Sequence, residues 1–244
     1  MKTSEILMIG GSGLLGREIL KLAPDIVAPD HKKLDILDGT SIYSYLRVYE
    51  PKIVLHLAAA TNPPQHEKDP IPGITVNITG TANIARMCYQ SDPAIKLIYV
   101  STDYVYHGKG PHLEDEPVKA TSRFILSKLG GECVVQMLPR FLILRLSFGP
   151  VPFPWENVYE GQWNSKLYVD EIAPFVLKAV LSDAEGIMNI GGPRTTLEAY
   201  ARRTRPNIET ISKPLWVPDD TSMDLTRMKK TLCIDDEAKF LKRR

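Results

Sequence analysis

A run of glycines near the start of the chain, directly after a short apolar segment, constrains the fold more than any other feature. Residues 5–9 read EILMI, and the segment 10–16, GGSGLLG, follows at once. A short apolar run of this kind is typical of a strand buried in a parallel sheet, and the residues after the glycines have helical periodicity. The glycines therefore lie at a predicted strand-to-helix turn, where Gly10, Gly13 and Gly16 have the spacing G-x-x-G-x-x-G.

A turn of this kind can hold the pyrophosphate of a dinucleotide. Glycine permits a tight turn and lets a phosphate approach the backbone, and the N-terminus of the next helix offers free N–H groups. We expect Gly10, Gly13, Leu14, Leu15 and Gly16 to bind the cofactor. A turn with only a structural role is the alternative, because three glycines alone are a weak signal.

The choice between NAD and NADP is expected after the second predicted strand, residues 25–28. Asp30 and His31 follow this strand, and Lys32 and Lys33 come next. An acidic residue here would bind the ribose 2′-OH of NAD, whereas basic residues would favour the 2′-phosphate of NADP. Because both kinds are present, we expect NADP(H) or NAD(H), with a lean toward NADP(H).

The segment before the next helix has two interpretations. Asp35 and Ile36 are expected to line the adenine of the cofactor. Asp35 and Asp38 can equally form the turn and cap the helix that begins near Thr40. The sequence leaves both interpretations open.

Small residues follow the third predicted strand, residues 52–57. Such residues at the carboxyl end of a parallel strand leave room for a ligand, and open α/β sheets bind ligands at that end. Ala58, Ala59, Ala60 and the later Asn77 are expected to contact the cofactor, and Thr61 the substrate. His56, inside the strand, is interpreted as a packed histidine.

Alternating strands and helices predict an α/β fold with a doubly wound parallel sheet. The remaining elements are a proline-rich loop over 63–73, a helix over 76–90, a strand over 97–101, a helix carrying Phe124 and Lys128, and a strand over 141–145. We therefore predict a dinucleotide-binding Rossmann domain over residues 1–150 and a small substrate-binding lobe over 151–244.

The second half predicts shorter elements. Residues 151–166 contain three prolines and no convincing helix, and we slightly favour core packing over base stacking for Trp155 and Trp163. Asp170 is expected to cap a helix that reaches Leu181 and has Pro174 in its first turn, where proline is tolerated. A capping box is predicted from Thr195 to Glu198, a strand over 187–190, and a short helix over 224–232.

Composition excludes several classes of protein. The net charge is +1, with 43% hydrophobic and 24% charged residues, so we expect neither nucleic-acid nor membrane binding. The three cysteines are widely spaced without histidine partners, which argues against a metal site and a disulfide framework and favours the cytoplasm. The terminal Lys242, Arg243 and Arg244 are interpreted as a solvated helix end.

A series of motifs in this order resembles the extended short-chain dehydrogenases/reductases. Within them the chain is most similar to dTDP-4-dehydrorhamnose reductases and related sugar-nucleotide-binding proteins. The motifs are GGSGLLG at 10–16, LDILD at 34–38, HLAAATN at 56–62, VNITGTANIA at 76–85, STDYVYHG at 101–108, EDEP at 114–117, SKLGGE at 127–132, LRLS at 144–147, YVDEIA at 168–173, NIGG at 189–192 and DTSMDLTRMKKTL at 220–232.

The resemblance implies hydride transfer between NAD(P)H and a keto-sugar carbon, which needs a proton donor near the oxygen. In the family a tyrosine gives the proton, and a lysine four residues on lowers its pKa and binds the nicotinamide ribose; a Ser or Thr orients the carbonyl. By the motifs, Lys128 and Thr102 match the last two roles. Ser101 and Ser147 are expected at the cofactor, and Tyr104 and Phe148 at the substrate, with core packing an equal alternative for Phe148.

The tyrosine position of the family is occupied by Phe124, which cannot donate a proton. No tyrosine lies between Tyr106 and Tyr159, so the register is not in question. Three explanations stay open: a natural non-catalytic relative, an engineered Tyr→Phe variant, or a proton from Tyr104, Tyr106 or His107.

Two functions follow from this resemblance. The first is a sugar-nucleotide reductase with an altered active site and a shortened substrate lobe. The alternative is a non-catalytic NAD(P)-binding regulatory or partner subunit on the same fold. The expected ligand in the first case is a sugar nucleotide, and a homodimer or a partner enzyme is compatible with either.

Overall fold

The computed structural model describes residues 2–215 and 217–234. The chain forms two compact units. The first unit contains the residues up to Ser101, Ser122–Leu144 and Asp183–Gly186, and the second contains Thr102–Thr121, Arg145–Ser182 and the described residues from Ile187 onward. The predicted division at residue 150 stays a prediction, and the basic tail at 242–244 lies outside the described residues.

The first part of the chain alternates strands and helices. In order, these are β1 (Ile6–Ile9), α1 (Leu14–Leu22), α2 (Gly39–Tyr49), β2 (Ile53–His56), α3 (Pro63–Lys68), a π-helix (Gly73–Gly80), α4 (Thr81–Ser91), β3 (Lys96–Val100), α5 (Arg123–Val135) and β4 (Phe141–Leu146). Single 3-10 turns lie at Thr3–Glu5 and Asp103–Val105.

Shorter elements make up the rest of the described chain. They are β5 (Phe148–Gly149), β6 (Asn157–Tyr159), β7 (Trp163–Asn164), β8 (Leu167–Tyr168), α6 (Val169–Leu181), β9 (Gly186–Ile190), β10 (Thr195–Thr196), α7 (Leu197–Arg202), β11 (Glu209–Ile211) and α8 (Thr226–Leu232). As predicted, residues 151–166 contain no helix. No helix among the described residues is long and apolar enough to cross a bilayer.

The main sheet has five strands in the order β1-β2-β3-β4-β9. Leu7 of β1 pairs with Val54 of β2, and Val54 pairs in turn with Leu97 of β3, all in parallel register. Every residue of β1 and β2 is buried, as expected for strands of a parallel sheet with both faces covered. The predicted α/β fold with a parallel sheet is confirmed.

The second predicted strand, residues 25–28, is not formed as such. Only one bridge remains, between Leu7 and Val27, because Pro24 and Pro29 flank the segment and cannot continue a strand ladder. The Met8 N–H donates to the Val27 carbonyl at 2.8 Å. Since Val27 and β2 both pair with β1, the chain winds in two directions from this strand. The carboxyl end of β1 is therefore the switch point at which such sheets bind ligands.

The proline-rich stretch over 63–73 was predicted as a loop, and this is wrong for much of its length. Asn62 caps α3 by accepting a hydrogen bond from the Gln65 N–H at 3.2 Å, and prolines occupy the first turn. A first turn needs no N–H donors, so proline there supports a helix rather than excluding one. The next helix also begins before the predicted Val76, as a π-helix from Gly73.

Two predicted caps in the second unit are displaced. Helix α6 begins at Val169 with Tyr168 in the cap position, so Asp170 lies in its first turn and Pro174 lies beyond that turn. Helix α7 is capped by Thr196, whose hydroxyl accepts from the Ala199 N–H at 3.2 Å, not by Thr195. The preceding strand pairs extend the backbone up to each helix, a constraint that local sequence does not show.

A cluster of aromatic and aliphatic side chains forms a core of the second unit, and it includes Phe153, Tyr168 and Tyr200. The prediction that Trp155 and Trp163 pack in the core is wrong. Trp155 is 55% exposed and Trp163 is 37% exposed. Trp155 only touches the cluster from outside, with its ring edge against Phe153.

Candidate active site

The glycine turn closes tightly against the carboxyl end of β2. Gly10 has a φ of +94°, and a Cβ at this position would lie 2.6 Å from the Ala58 nitrogen. Gly16 allows a similar approach, since its Cβ would lie 2.6 Å from the Gly11 Cα. Gly13 occupies the cap position of α1 and offers no side chain to its N–H groups. The turn thus presents backbone N–H groups at a helix N-terminus, which fits the phosphates of a dinucleotide.

Hydrogen bonds within the segment itself fix the turn that is expected to face the adenosine of the cofactor. Asp30 accepts hydrogen bonds from the backbone N–H groups of Lys32 and Lys33, and His31 is exposed beside it. Asp38 caps α2 by accepting from the Thr40 N–H at 2.8 Å. The cap interpretation is therefore confirmed for Asp38.

The other two residues of this segment differ in burial. The exposed Asp35 accepts from the Leu37 N–H at 2.9 Å, which is turn chemistry. Ile36 is half-buried, and its side chain packs where Gly80 lacks one. Their predicted contacts with an adenine stay a prediction.

Asn77 fixes the loop that follows β2. Its side-chain oxygen accepts from the Ala60 N–H at 2.8 Å, and its amide donates to the Ala60 carbonyl and to the Ser127 hydroxyl. Asn77 is buried in the π-helix, whereas Ala58, Ala59 and Ala60 are half-buried and Thr61 is exposed. The side chain thus positions the predicted ligand-facing alanines relative to α5.

Lys128 lies in a buried cluster at the end of β3. Its Nζ donates to the Val100 carbonyl at 2.8 Å and lies 4.2 Å from the centre of the Tyr99 ring. Burial lowers the pKa of Lys128 to about 7, against the opposing effect of the Glu132 carboxylate. Glu132 also accepts a 2.5 Å hydrogen bond from Ser101. The structure thus brings the predicted residues Lys128 and Ser101 together through Glu132 and β3.

His56 is packed beside this cluster, as predicted. Its Nε2 lies 3.0 Å from the Thr81 hydroxyl, and its ring lies against Tyr99. Burial, together with the charge of Lys128, lowers the pKa of His56 to about 3. Since the Thr81 hydroxyl donates to the Asn77 carbonyl, Nε2 is best placed as the donor to Thr81.

Phe124 is buried at the start of α5 and has no polar atom to offer. Its ring packs against His66 of α3, with 5.5 Å between the ring centres. His66 is itself only 1% exposed, and neither ring nitrogen has a hydrogen-bond partner. An unpaired buried imidazole is costly, because its nitrogens do not regain the hydrogen bonds that they make in water.

Thr102 begins the second unit and lies beside a buried carboxylate. Its hydroxyl is 3.3 Å from the Asp103 Oδ1 and accepts from the Tyr104 N–H at 3.2 Å. Thr221 donates to the other carboxylate oxygen of Asp103 at 2.7 Å. Burial raises the pKa of Asp103, although Thr221, Lys166 and Thr102 oppose the shift.

The three alternative proton donors differ in their surroundings. Tyr106 is excluded, because its hydroxyl donates to Asn189 at 2.8 Å and accepts from Arg145 at 3.1 Å. Burial raises the pKa of Tyr104 to about 12, which makes it a weak acid. Its hydroxyl accepts from Gln162 at 3.2 Å. His107 is exposed.

Two further predicted residues, Ser147 and Phe148, are half-buried near β5, which pairs with β8. An open cleft of about 510 Å³ in the second unit is lined in part by His107, Lys109, Trp163 and Arg194. The Arg194 guanidinium lies 3.8 Å above the Trp163 ring and pairs with Asp220 at 2.8 Å. The Arg194 guanidinium therefore already covers one face of the Trp163 ring.

The sequence does not predict four functional candidates that the structure shows: Glu132, His66, Asp103 and Lys166. The i, i+4 spacing of Lys128 and Glu132 on one helix could have revealed the first. The other three depend on residues distant in sequence, such as Thr221 beside Asp103, and no local signal marks them.

The glycine turn at a switch point, and a buried lysine on the helix after β3, are features that the short-chain dehydrogenase/reductase motifs of the sequence predict. The chain belongs to the family described as the RmlD substrate binding domain, which matches residues 4–149.

Two named relatives are similar to part of the chain. It is 30% identical to the dTDP-4-dehydrorhamnose reductase of Aggregatibacter actinomycetemcomitans over 59% of this chain and 51% of that one. It is 26% identical to methionine adenosyltransferase 2 subunit beta of Pongo abelii, over 53% and 42%. The chain thus spans about half the length of the curated relatives it matches.

A solved structure supports the fold. The crystal structure of dTDP-4-dehydrorhamnose reductase from Bacillus anthracis, in complex with NADP, superposes with a TM-score of 0.83. The match covers 94% of this chain and 93% of that one at 22% identity. At this identity the likeness shows the fold alone.

Proposed function

We propose that this chain binds NAD(P)H and reduces the keto group of a 4-dehydro sugar nucleotide, in the manner of a dTDP-4-dehydrorhamnose reductase. The observation that carries the proposal is Lys128. Its amine is buried at the end of β3, with the Val100 carbonyl as a hydrogen-bond partner and a pKa lowered to about 7. Perturbed lysines of this kind are concentrated at functional sites.

The residues of the first unit fit a dinucleotide. The turn at Gly10 would hold the pyrophosphate, Asp30 and His31 with the lysines after them would meet the ribose, and Lys128 would meet the nicotinamide ribose. When bound, the cofactor supplies the hydride. The lysines at 32 and 33 favour NADPH over NADH, because they would attract a 2′-phosphate.

The residues that follow β3 and β4 would hold the sugar. Thr102 would donate a hydrogen bond to the keto oxygen, and Tyr104 and Phe148 would contact the sugar ring. A donor aimed at the oxygen stabilises the negative charge that develops there. A homodimer, or a complex with a partner enzyme, is compatible with this function.

The proposal is tested by cofactor oxidation with dTDP-4-dehydrorhamnose, followed by absorbance, in the parent protein and in Phe124→Tyr. The tyrosine restores the donor of the family, so we expect kcat to rise by about 10²-fold, the lower range for general acid catalysis. Phe141→Tyr adds the same hydroxyl on β4, outside the candidate site, and should leave kcat unchanged.

The outcome that would contradict the proposal is equally concrete. It fails if neither NADH nor NADPH is oxidised with any dTDP- or UDP-linked 4-keto sugar by the parent or by Phe124→Tyr. In the active variant, Lys128→Met should raise KM for the cofactor, since the amine binds ribose in both ground and transition states.

A second candidate is a non-catalytic NAD(P)-binding partner subunit. Phe124 favours it, and so does the relative named as a methionine adenosyltransferase subunit. Calorimetric titration separates the two candidates, because this one expects tight binding of NADH or NADPH with no turnover in Phe124→Tyr. Turnover by the parent protein would reject it.

A further inference from the structure

The second unit contains a buried carboxyl group that the proposed function leaves unused. Asp103 is 1% exposed, and its two oxygens face different hydroxyls. Thr221 donates to Oδ2 at 2.7 Å, whereas Oδ1 faces the Thr102 hydroxyl at 3.3 Å. Oδ1 is thus directed at the side chain expected to hold the keto oxygen.

Thr102 is suited to pass a proton on. Its hydroxyl is half-buried, and the Tyr104 N–H donates to it, which orients one lone pair. A hydroxyl can donate one proton while it accepts another, so it can link a carboxyl group to an alkoxide. The 3.3 Å separation is long, but catalytic hydrogen bonds often shorten only in the substrate complex.

We infer that Asp103 supplies, through the Thr102 hydroxyl, the proton that Phe124 cannot give. This inference rests on the proposed function, in which the nicotinamide cofactor is oxidised as it gives up its hydride. A new C–H bond forms at the keto carbon, and the C=O π pair moves to oxygen. That oxygen takes the Thr102 proton, Thr102 takes the proton of the neutral Asp103 carboxyl group, and solvent later reprotonates Asp103.

The surroundings of Asp103 suit a proton store. Burial raises the pKa of its carboxyl group, which keeps the proton bound closer to neutral pH. The charged and titratable groups that face it are Lys166 and Tyr104. The Lys166 ammonium would stabilise the carboxylate left after transfer, as would the Thr221 hydroxyl.

The test is a cycle of Asp103→Asn and Phe124→Tyr, with kcat measured for all four proteins. Asp103→Asn should lower kcat of the parent by about 10²-fold, because the amide cannot replace the acid. In the Phe124→Tyr background the same change should leave kcat nearly unchanged, because the tyrosine now gives the proton. Asp115→Asn, an exposed aspartate of the same loop, should leave kcat unchanged in both backgrounds.

Each other outcome has a distinct meaning. An equal loss in both backgrounds assigns Asp103 a structural role and overturns the inference, as does no loss in either. No turnover in any of the four proteins overturns the proposed function and the inference with it. Turnover in the Phe124→Tyr background alone overturns only the inference.

A second readout needs no turnover. Infrared spectra of the protein without cofactor should show the C=O band of a buried protonated carboxyl group at neutral pH. The band should disappear in Asp103→Asn and persist in Asp115→Asn. A spectrum without this band at pH 6 to 7 overturns the inference, whatever the kinetics show.

Discussion

At the scale of residues, one tyrosine ring lies close to two groups that could each carry a positive charge. Lys128 lies 4.2 Å from the centre of the Tyr99 ring, and the His56 ring centre lies 5.5 Å from it. Burial lowers the pKa of both groups, and the charge of Lys128 lowers that of His56 further. The protein therefore holds His56 neutral, so that the nearby charge resides on Lys128.

This arrangement predicts a loss of stability in mild acid. The pKa of His56 falls from 6.5 to about 3 on folding, so below pH 6.5 the unfolded state binds the proton first. The contribution to stability is complete above pH 6.5 and is lost as the pH falls toward 3. Between pH 6.5 and 5 we expect a loss of about 2 kcal/mol in the free energy of unfolding, measured by urea denaturation.

The matched variant is His56→Gln, which keeps a donor for Thr81 but does not titrate. It should remove this part of the pH dependence, whereas His107→Gln, at an exposed histidine, should keep it. The same slope in His56→Gln as in the parent would show that other groups cause the acid sensitivity.

At the scale of elements, the turn between β1 and α1 requires a glycine at residue 10 for two reasons. The backbone has a positive φ there, and the residue lies close to Ala58. Gly10 and Gly108 both have positive φ, of +94° and +111°, but their surroundings differ. A Cβ on Gly10 would meet the Ala58 nitrogen at 2.6 Å, while no heavy atom lies within 4 Å of a Cβ on Gly108. Replacement by alanine therefore tests strain alone at one site, and strain with a clash at the other.

We expect Gly108→Ala to cost about 1–3 kcal/mol, the usual range for a strained non-glycine residue. Gly10→Ala should cost more, because the turn must also move away from β2, and it should abolish NAD(P)H binding measured by calorimetry. Equal destabilisation by the two variants, or intact cofactor binding in Gly10→Ala, would contradict this account of the turn.

The helices and strands show which features of the fold the local sequence predicts and which it does not. The cap at Asp38 and the helix carrying Phe124 and Lys128 follow from residues within a few positions of each other. The loop prediction over 63–73 is wrong because Pro63 and Pro64 lie in the first turn of α3, where proline supports a helix. Val27 forms only a bridge because flanking prolines limit the strand, although a full strand is predicted over residues 25–28.

At the scale of the whole molecule, cofactor binding should raise thermal stability, because a ligand that binds only the folded state stabilises it. At a concentration 100 times Kd the gain is about 2.7 kcal/mol. For a chain of this size we expect Tm to rise by about 5–11 °C, measured by calorimetry. NADPH should act at lower concentration than NADH.

The control for this measurement is Gly10→Ala, which should fold but show no rise with either nucleotide. A parent protein whose Tm is unchanged by NADH and NADPH at millimolar concentration would contradict both proposed functions, since each requires the cofactor.

The sequence by itself determined the parallel α/β fold, the glycine turn and the positions of Lys128 and Phe124. These depend on spacing along the chain, which strands, turns and helices convert directly into geometry. Only the tertiary structure decided the protonation states of Lys128 and His56, the hydrogen bonds of the Tyr106 hydroxyl and the burial of Asp103. These properties depend on burial and on partners such as Asn189 and Thr221, which are far away in sequence. A pKa value responds to these surroundings in space rather than to the neighbours along the chain.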